Sequence, residues 1–191
     1  MTNLSLDPKT TALVLIDLQK GIAAMATAPH TAADVIARAA ELARRCRERG
    51  ATVVLVRVDP GRRGELMPRP EADQMRPPME FPVDWIDLVP ELAQAPGDIV
   101  ITKHQPNAFY ATDLEVQLAR RGIRTIVLGG ISTNIGVEAT ARAAHERGYE
   151  QVFVEDAMAA RDAELHAVAT TKFFPTIGRV RSTRDVSAAL G

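Results

Sequence analysis

A single cysteine, Cys46, stands in a chain of 191 residues, so no internal disulfide can form. No apolar run approaches the roughly 20 residues that a membrane-spanning helix needs. An excess of one charge sign is lacking too. The formal net charge is -1, which leaves no global basic field to draw nucleic acid or an anionic membrane. The N-terminal MTNLSLDPKT lacks the basic-then-apolar plan of a signal peptide, and a cytoplasmic location is the expectation. The first apolar run leads into I-D-L-Q-K-G rather than G-x-G-x-x-G, which argues against a dinucleotide-binding domain. The 4 histidines, His30, His104, His145 and His166, show no cluster of the kind that zinc and similar metals favour. Repeats, linkers and low-complexity tracts are absent. The length suits one domain, residues 1–191, with a sizeable core.

What is present is an alternation of strand and helix signals. Thr11 to Ile16 reads as a buried parallel strand that ends at Asp17. Thr31 caps a helix with Asp34 in its first turn; Val35, Ala39, Leu42 and Cys46 follow one face, and Gly50 ends it. Cys46, on that apolar face, reads as a packing thiol. Thr52 to Val58 is a second, β-branched strand. Pro60 to Pro82 is a long excursion, and loops beyond about 12–15 residues are usually functional or disordered. Its Arg62, Arg63, Arg69 and Arg76 either rim a pocket for a carboxylate or belong to a solvated surface. Asp98 to Thr102 is a third strand followed by Lys103, and a helix opens at Thr112 and ends at Gly122. Arg124 to Leu128 is the fourth strand, stopped by Gly129 and Gly130. A helix follows, with Ser132, Thr133 or Asn134 as its cap and an anion-favouring first turn. Gln151 to Glu155 and Ile177 to Val180 are strands five and six, around a helix from Asp162 to Phe174. Ser182 and Asp185 form a capping box for the last helix, which runs to Leu190. The expected fold is α/β: a three-layer Rossmann-like sandwich, a mostly parallel sheet of about six strands with helices on both faces. Asp17, Lys103 and Gly136 each follow the C-terminal end of a strand, the edge where open α/β sheets bind ligands.

The stretch GGISTNIGVEATARAAHERGY, Gly129 to Tyr149, resembles the signature of the isochorismatase-like cysteine hydrolases, and the whole chain fits that family. Most members carry a cysteine nucleophile where this chain has Gly136. The resemblance implies that Asp17 is the catalytic acid/base and that Lys103, in K-H-Q-P-N-A-F-Y-A-T-D-L, is the catalytic lysine. Read without the resemblance, Asp17 is equally a turn or cap residue, and Lys103 a solvated lysine. The resemblance also implies a non-proline cis peptide near Ile131-Ser132. Gln19, Arg57, Ser132, Thr133, Asn134 and Ile135 are candidate substrate-binding residues. Phe109 and Tyr110 either wall the pocket or pack in the core.

Glycine cannot attack a carbonyl, so thioester amide hydrolysis and nicotinamidase-type activity are not expected. Nicotinamidases in the family place an aspartate and two histidines just after the second strand. This chain has Asp59 there but no histidine until His104, so no metal and no cofactor are expected. The isochorismatases of the family also carry glycine at the nucleophile position and hydrolyse a vinyl ether by acid catalysis. By that resemblance Asp17 donates the proton, Lys103 positions and tunes it, and Gly136 leaves room for substrate or water. Isochorismatases have a tyrosine and a histidine where this chain has Ser132 and Asn134, so isochorismate is the leading candidate rather than an assignment. The alternative from another class is an inactive small-molecule-binding protein with the same pocket. A small-molecule substrate and a homo-oligomer, dimer or tetramer, are the partners the resemblance implies, with neither nucleic acid nor membrane.

Overall fold

The computed structural model describes residues 4–74 and 79–191. The chain enters through a 3-10 turn, Pro8–Thr10, where the Asp7 carboxylate accepts the Lys9 amide at 3.0 Å. β1 (Thr11–Ile16) follows, buried along its whole length because both of its faces are covered. A short helix, α1 (Lys20–Ala23), precedes the long α2 (Ala32–Glu48). Thr31 caps α2 as expected, its hydroxyl taking the Asp34 amide at 3.1 Å. β2 (Thr52–Val58) and β3 (Ile99–Lys103) are separated by the long loop and two 3-10 turns, Val83–Ile86 and Pro90–Leu92. Next come α3 (Leu114–Arg120), β4 (Thr125–Ile131), a π-type turn over Thr133–Val137, and α4 (Glu138–Glu146). β5 (Glu150–Ala159) leads to α5 (Ala163–Val168), a second π-type turn (Ala169–Phe173) and α6 (Phe174–Ile177). β6 (Arg179–Arg181) and α7 (Thr183–Ala189) close the fold, and the Ser182–Asp185 capping box is present.

The sheet has 6 strands in the order β3-β2-β1-β4-β5-β6, and every neighbouring pair is parallel. Alternation along the strands divides the core in two. Leu13, Leu15, Val53 and Leu55 pack with α2 and α7 on one face. Val14, Ile16, Val54 and Val56 pack with α3, α4 and α6 on the other. The α/β fold with helices on both faces is as expected. Strand order reverses between β1 and β4, since the chain works outward to β3 and then crosses back. That switch point opens a crevice at the strands' carboxyl ends. Asp17 leaves β1 on one side of it, and the Ser132–Gly136 segment leaves β4 on the other. Among the described residues no helix is long and apolar enough to cross a membrane.

Two strands run further than expected. β4 continues through Gly129 and Gly130 to Ile131, because these glycines serve close packing inside the sheet. A Cβ on Gly130 would lie 2.1 Å from the Ile16 carbonyl oxygen, and its φ of 125° disfavours any other residue. β5 runs to Ala159, past Glu155 where a strand end was expected, and it does so through a bulge. Between the pairs Leu128–Phe153 and Gly130–Met158, β5 advances five residues while β4 advances two. β6 lies one to two residues later than expected, at Arg179–Arg181, and α3 opens at Leu114 with Asp113 at its cap position.

Candidate active site

Asp17 is the first residue past β1 and adopts a left-handed conformation, φ 55°, while its amide still donates to the Val56 carbonyl at 2.9 Å. Lys103 is the last residue of β3, two strands away. At about 4.8 Å between strands, only a long side chain bridges that distance. The Lys103 stem crosses β2 and places Nζ 2.9 Å from Asp17 Oδ2 and 2.6 Å from the Pro106 carbonyl oxygen. The pair is buried, Asp17 at 6% exposure and Lys103 at 1%. The other carboxylate oxygen, Oδ1, is buried with no hydrogen-bond partner among the described residues. Burial, partly offset by the charge and hydrogen bond of Lys103, pushes the Asp17 carboxyl up to about 6.

Gly136 closes the triangle from the far side of the crevice. A Cβ built there would lie 2.8 Å from Ile16 Cγ2, 3.0 Å from Asp17 Oδ2 and 3.1 Å from Lys103 Nζ. Glycine therefore does not open a space at this position, contrary to expectation. It lets the Asp17–Lys103 pair press directly against the backbone. The segment leading to Gly136 begins with a cis peptide between Ile131 and Ser132. None of the three candidate caps acts as one. Ser132 occupies the cap position without a side-chain bond, while its carbonyl oxygen accepts the Ile135 and Val137 amides, each at 3.2 Å. The buried Thr133 hydroxyl is turned away, 2.9 Å from His166 Nδ1.

A shallow groove of about 280 Å³ runs beside the triangle, lined by Pro106, Asn134, Ile135, Glu138, Ala139 and Arg142. Pro106 is the residue that holds Lys103, and Asn134 and Ile135 flank Gly136. Groove and buried pair thus share their walls. Arg142 brings a cation to the groove; its guanidinium bonds Glu138 at 2.8 Å and lies 3.7 Å from the Phe173 ring centroid. Sequence reasoning passed over Arg142. The signal was its place four residues after Glu138, which puts both on one helix face.

Other expected contacts are engaged elsewhere. The Gln19 amide is buried, donating to the Val58 and Trp85 carbonyls at 3.0 and 3.2 Å and accepting the Val58 amide at 2.8 Å. It clamps the ends of the long loop. Arg57 Nε donates to Thr102 Oγ1 at 3.0 Å. Phe109 is buried in the core against α3 and α4, with the Arg147 guanidinium 4.8 Å from its ring centroid, whereas Tyr110 is 67% exposed. Arg62, Arg63 and Arg69 are exposed and none lines the groove; the Arg62 and Arg63 amides instead bond the Glu65 carboxylate. Arg76 lies outside the described residues. Cys46 is buried on α2, and burial pushes its thiol up to about 12, so it is not a nucleophile at neutral pH.

The expectation of scattered histidines fails for two of them. His30, just before α2, and His166, on α5, both reach Glu155 Oε1 through Nε2 at 3.2 Å. Their ring centroids are 5.9 Å apart. The β5 bulge carries Glu155 between them. Burial pushes the Glu155 carboxyl up, but the two imidazoles outweigh it and hold the pKa below the usual range.

A family model for the isochorismatase domain matches residues 11–185. An Escherichia coli O157:H7 relative, the uncharacterized isochorismatase family protein YecD, is 48% identical over 188 residues, covering 98% of this chain and 100% of its own length. A Bacillus subtilis (strain 168) relative, the uncharacterized isochorismatase family protein YwoC, is 41% identical over 186 residues, 97% of this chain and 96% of that one. The solved structure of an isochorismatase family protein from Burkholderia thailandensis superposes with a TM-score of 0.93 at 43% identity and covers 99% of both chains.

Proposed function

The chain belongs to the isochorismatase family, and from that premise we propose that it hydrolyses a small, anionic, vinyl-ether-like metabolite by general-acid catalysis, with Asp17 as the proton donor. The observation that carries this reading is the Asp17 carboxyl itself. It is buried, raised to about 6, paired to Lys103 through one oxygen and, among the described residues, unpartnered at the other. With no side chain at Gly136 the site lacks the thiol that attacks in most of the family, so a thioester intermediate is not part of the scheme.

The steps balance with water as the only co-substrate. A proton passes from Asp17 Oδ1 to the terminal carbon of the enol ether, leaving an oxocarbenium carbon. Water adds to that carbon and its released proton returns to Asp17. The hemiketal collapses: its hydroxyl proton passes to the ether oxygen, the carbon–oxygen bond to the alcohol breaks, and a keto acid and an alcohol leave. Lys103 supplies orientation through Pro106 and keeps the carboxyl from rising further. Arg142 in the groove matches a substrate carboxylate. With a pKa of about 6, about a tenth of Asp17 is protonated at pH 7. Turnover therefore rises as the solution is acidified through pH 6.

Isochorismate is the first compound to test, with pyruvate release as the readout and Asp17→Asn as the control. Release by the native chain that is lost in the variant supports the reading. A second reading, a binding-only member of the family, draws on the same burial of Asp17 and Lys103. Saturable binding of isochorismate by folded protein without pyruvate release would favour it.

A further inference from the structure

The His30–Glu155–His166 cluster plays no part in the acid chemistry, yet it is built from three separate elements. We propose that these three side chains bind one divalent first-row transition-metal ion of the zinc class. The donor set is two imidazoles and one carboxylate, which such ions prefer. A tetrahedral ion with bonds of about 2.1 Å spaces its donors about 3.4 Å apart. Glu155 Oε1 already stands 3.2 Å from each Nε2, and all three donor atoms lie within 4.8 Å of one another. Small shifts of the side chains admit an ion between them.

The supports are rigid. His30 directly precedes the Thr31 cap of α2, and its loop is tied down by paired backbone bonds between Ala28 and Ala160 at 2.7 and 2.9 Å. His166 is buried on α5, and its remaining nitrogen, Nδ1, meets the buried Thr133 hydroxyl at 2.9 Å. With a metal on Nε2 the ring proton would sit on Nδ1 and be donated to that hydroxyl, the second-nitrogen bond that holds metal-bound imidazoles in place. Among the described residues, no lysine or arginine pairs with Glu155; its partners there are the two rings alone. The half-buried edges of His30 and Glu155 give an ion access and leave a fourth position for water. Thr133 opens the turn that carries Gly136, so the ion would also brace the wall of the catalytic crevice.

The test uses the chelator-treated full-length chain, titrated with zinc chloride by calorimetry and with cobalt(II) by visible absorption, without substrate. One equivalent is expected to bind. At a hundredfold excess of zinc over its Kd, the Tm should rise by about 5–10 °C. His30→Ala and Glu155→Gln should each weaken binding at least about tenfold, while His145→Ala, on the exposed face of α4, leaves it unchanged. His30 and Glu155 are both partly exposed, so at least one of these variants should fold; circular dichroism identifies which to use. Absence of stoichiometric binding, or binding unaltered in the folded variants, overturns the proposal. Because no turnover is measured, the result is independent of whether isochorismate is the substrate.

Discussion

Two carboxylates, Asp17 and Glu155, sit on either side of the Ser132–Gly136 segment, and their surroundings push them in opposite directions. Asp17 faces a full positive charge at 2.9 Å, and still its pKa rises to about 6. Glu155 meets two imidazoles at 3.2 Å, and its pKa falls. The difference lies in solvent and in the count of hydrogen bonds. Asp17 has one oxygen bonded and the other buried with no partner among the described residues. Glu155 keeps contact with water and receives two bonds on one oxygen. A carboxylate near a lysine is therefore not automatically a depressed one; burial decides when the second oxygen is left bare. The first group is suited to hold and give a proton, the second to hold a cation.

The contrast is open to direct attack. Asp17→Asn removes the proposed proton donor and should reduce turnover by about 10²–10⁴-fold, read as pyruvate release. Lys103→Met should destabilise the fold by about 3–5 kcal/mol at pH 8, because it leaves a buried carboxylate unpaired. That cost has a defined pH dependence. Asp17 has a raised folded pKa, so the native state holds a proton that the unfolded chain has released between about 4 and 6, and stability falls as pH rises through that window. Without the ammonium the folded pKa climbs further, the window widens, and the gap to the native chain grows with pH. Chemical denaturation at pH 4.5 and 8 should show the penalty shrinking at the lower value.

Gly136→Ala should cost about 1–3 kcal/mol, since its Cβ meets Ile16, Asp17 and Lys103 at once. The same variant should lower turnover by displacing the pair. Thr133→Val is the mildest change. It removes one partner of His166 and should cost about 1–2 kcal/mol. It should weaken zinc binding while leaving the Asp17 titration in place, which would show that the two carboxylates are set by separate surroundings.

Much of this architecture is legible from residue patterns. Thr11–Ile16 and Thr52–Val58 are short, mostly apolar runs, the second rich in β-branched residues, and they match their strands to the residue. Thr31 and the Ser182–Asp185 box announce helix starts through local chemistry that tertiary contacts do not alter. Asp17 and Lys103 stand next to strand ends, so the topology alone brings them to one edge. Glycine was the misleading signal. Gly129 and Gly130 read as a stop, whereas the strand needs them to pass beside its neighbours, Gly129 against Ala157 and Gly130 against Ile16. Glu155 and Asp156 read as the end of a strand, whereas they form its bulge. The bulge is also why the histidine cluster was missed. His30 and His166 lie at opposite ends of the chain, and no spacing rule links a loop and a helix through one displaced strand residue. Arg142 was passed over because it stands on the exposed face of α4, among charged residues that read as an ordinary solvated surface.

Asp17 as a buried acid poised near neutrality can be tested without any substrate. Carbon-13 NMR of aspartate-labelled protein, with Asp17→Asn to assign the signal, reads its titration directly. A midpoint close to 6 is the predicted result. A midpoint at or below the ordinary aspartate value of about 3.9 would contradict it, because Asp17 would then be a permanently ionised partner of Lys103 with no proton to give.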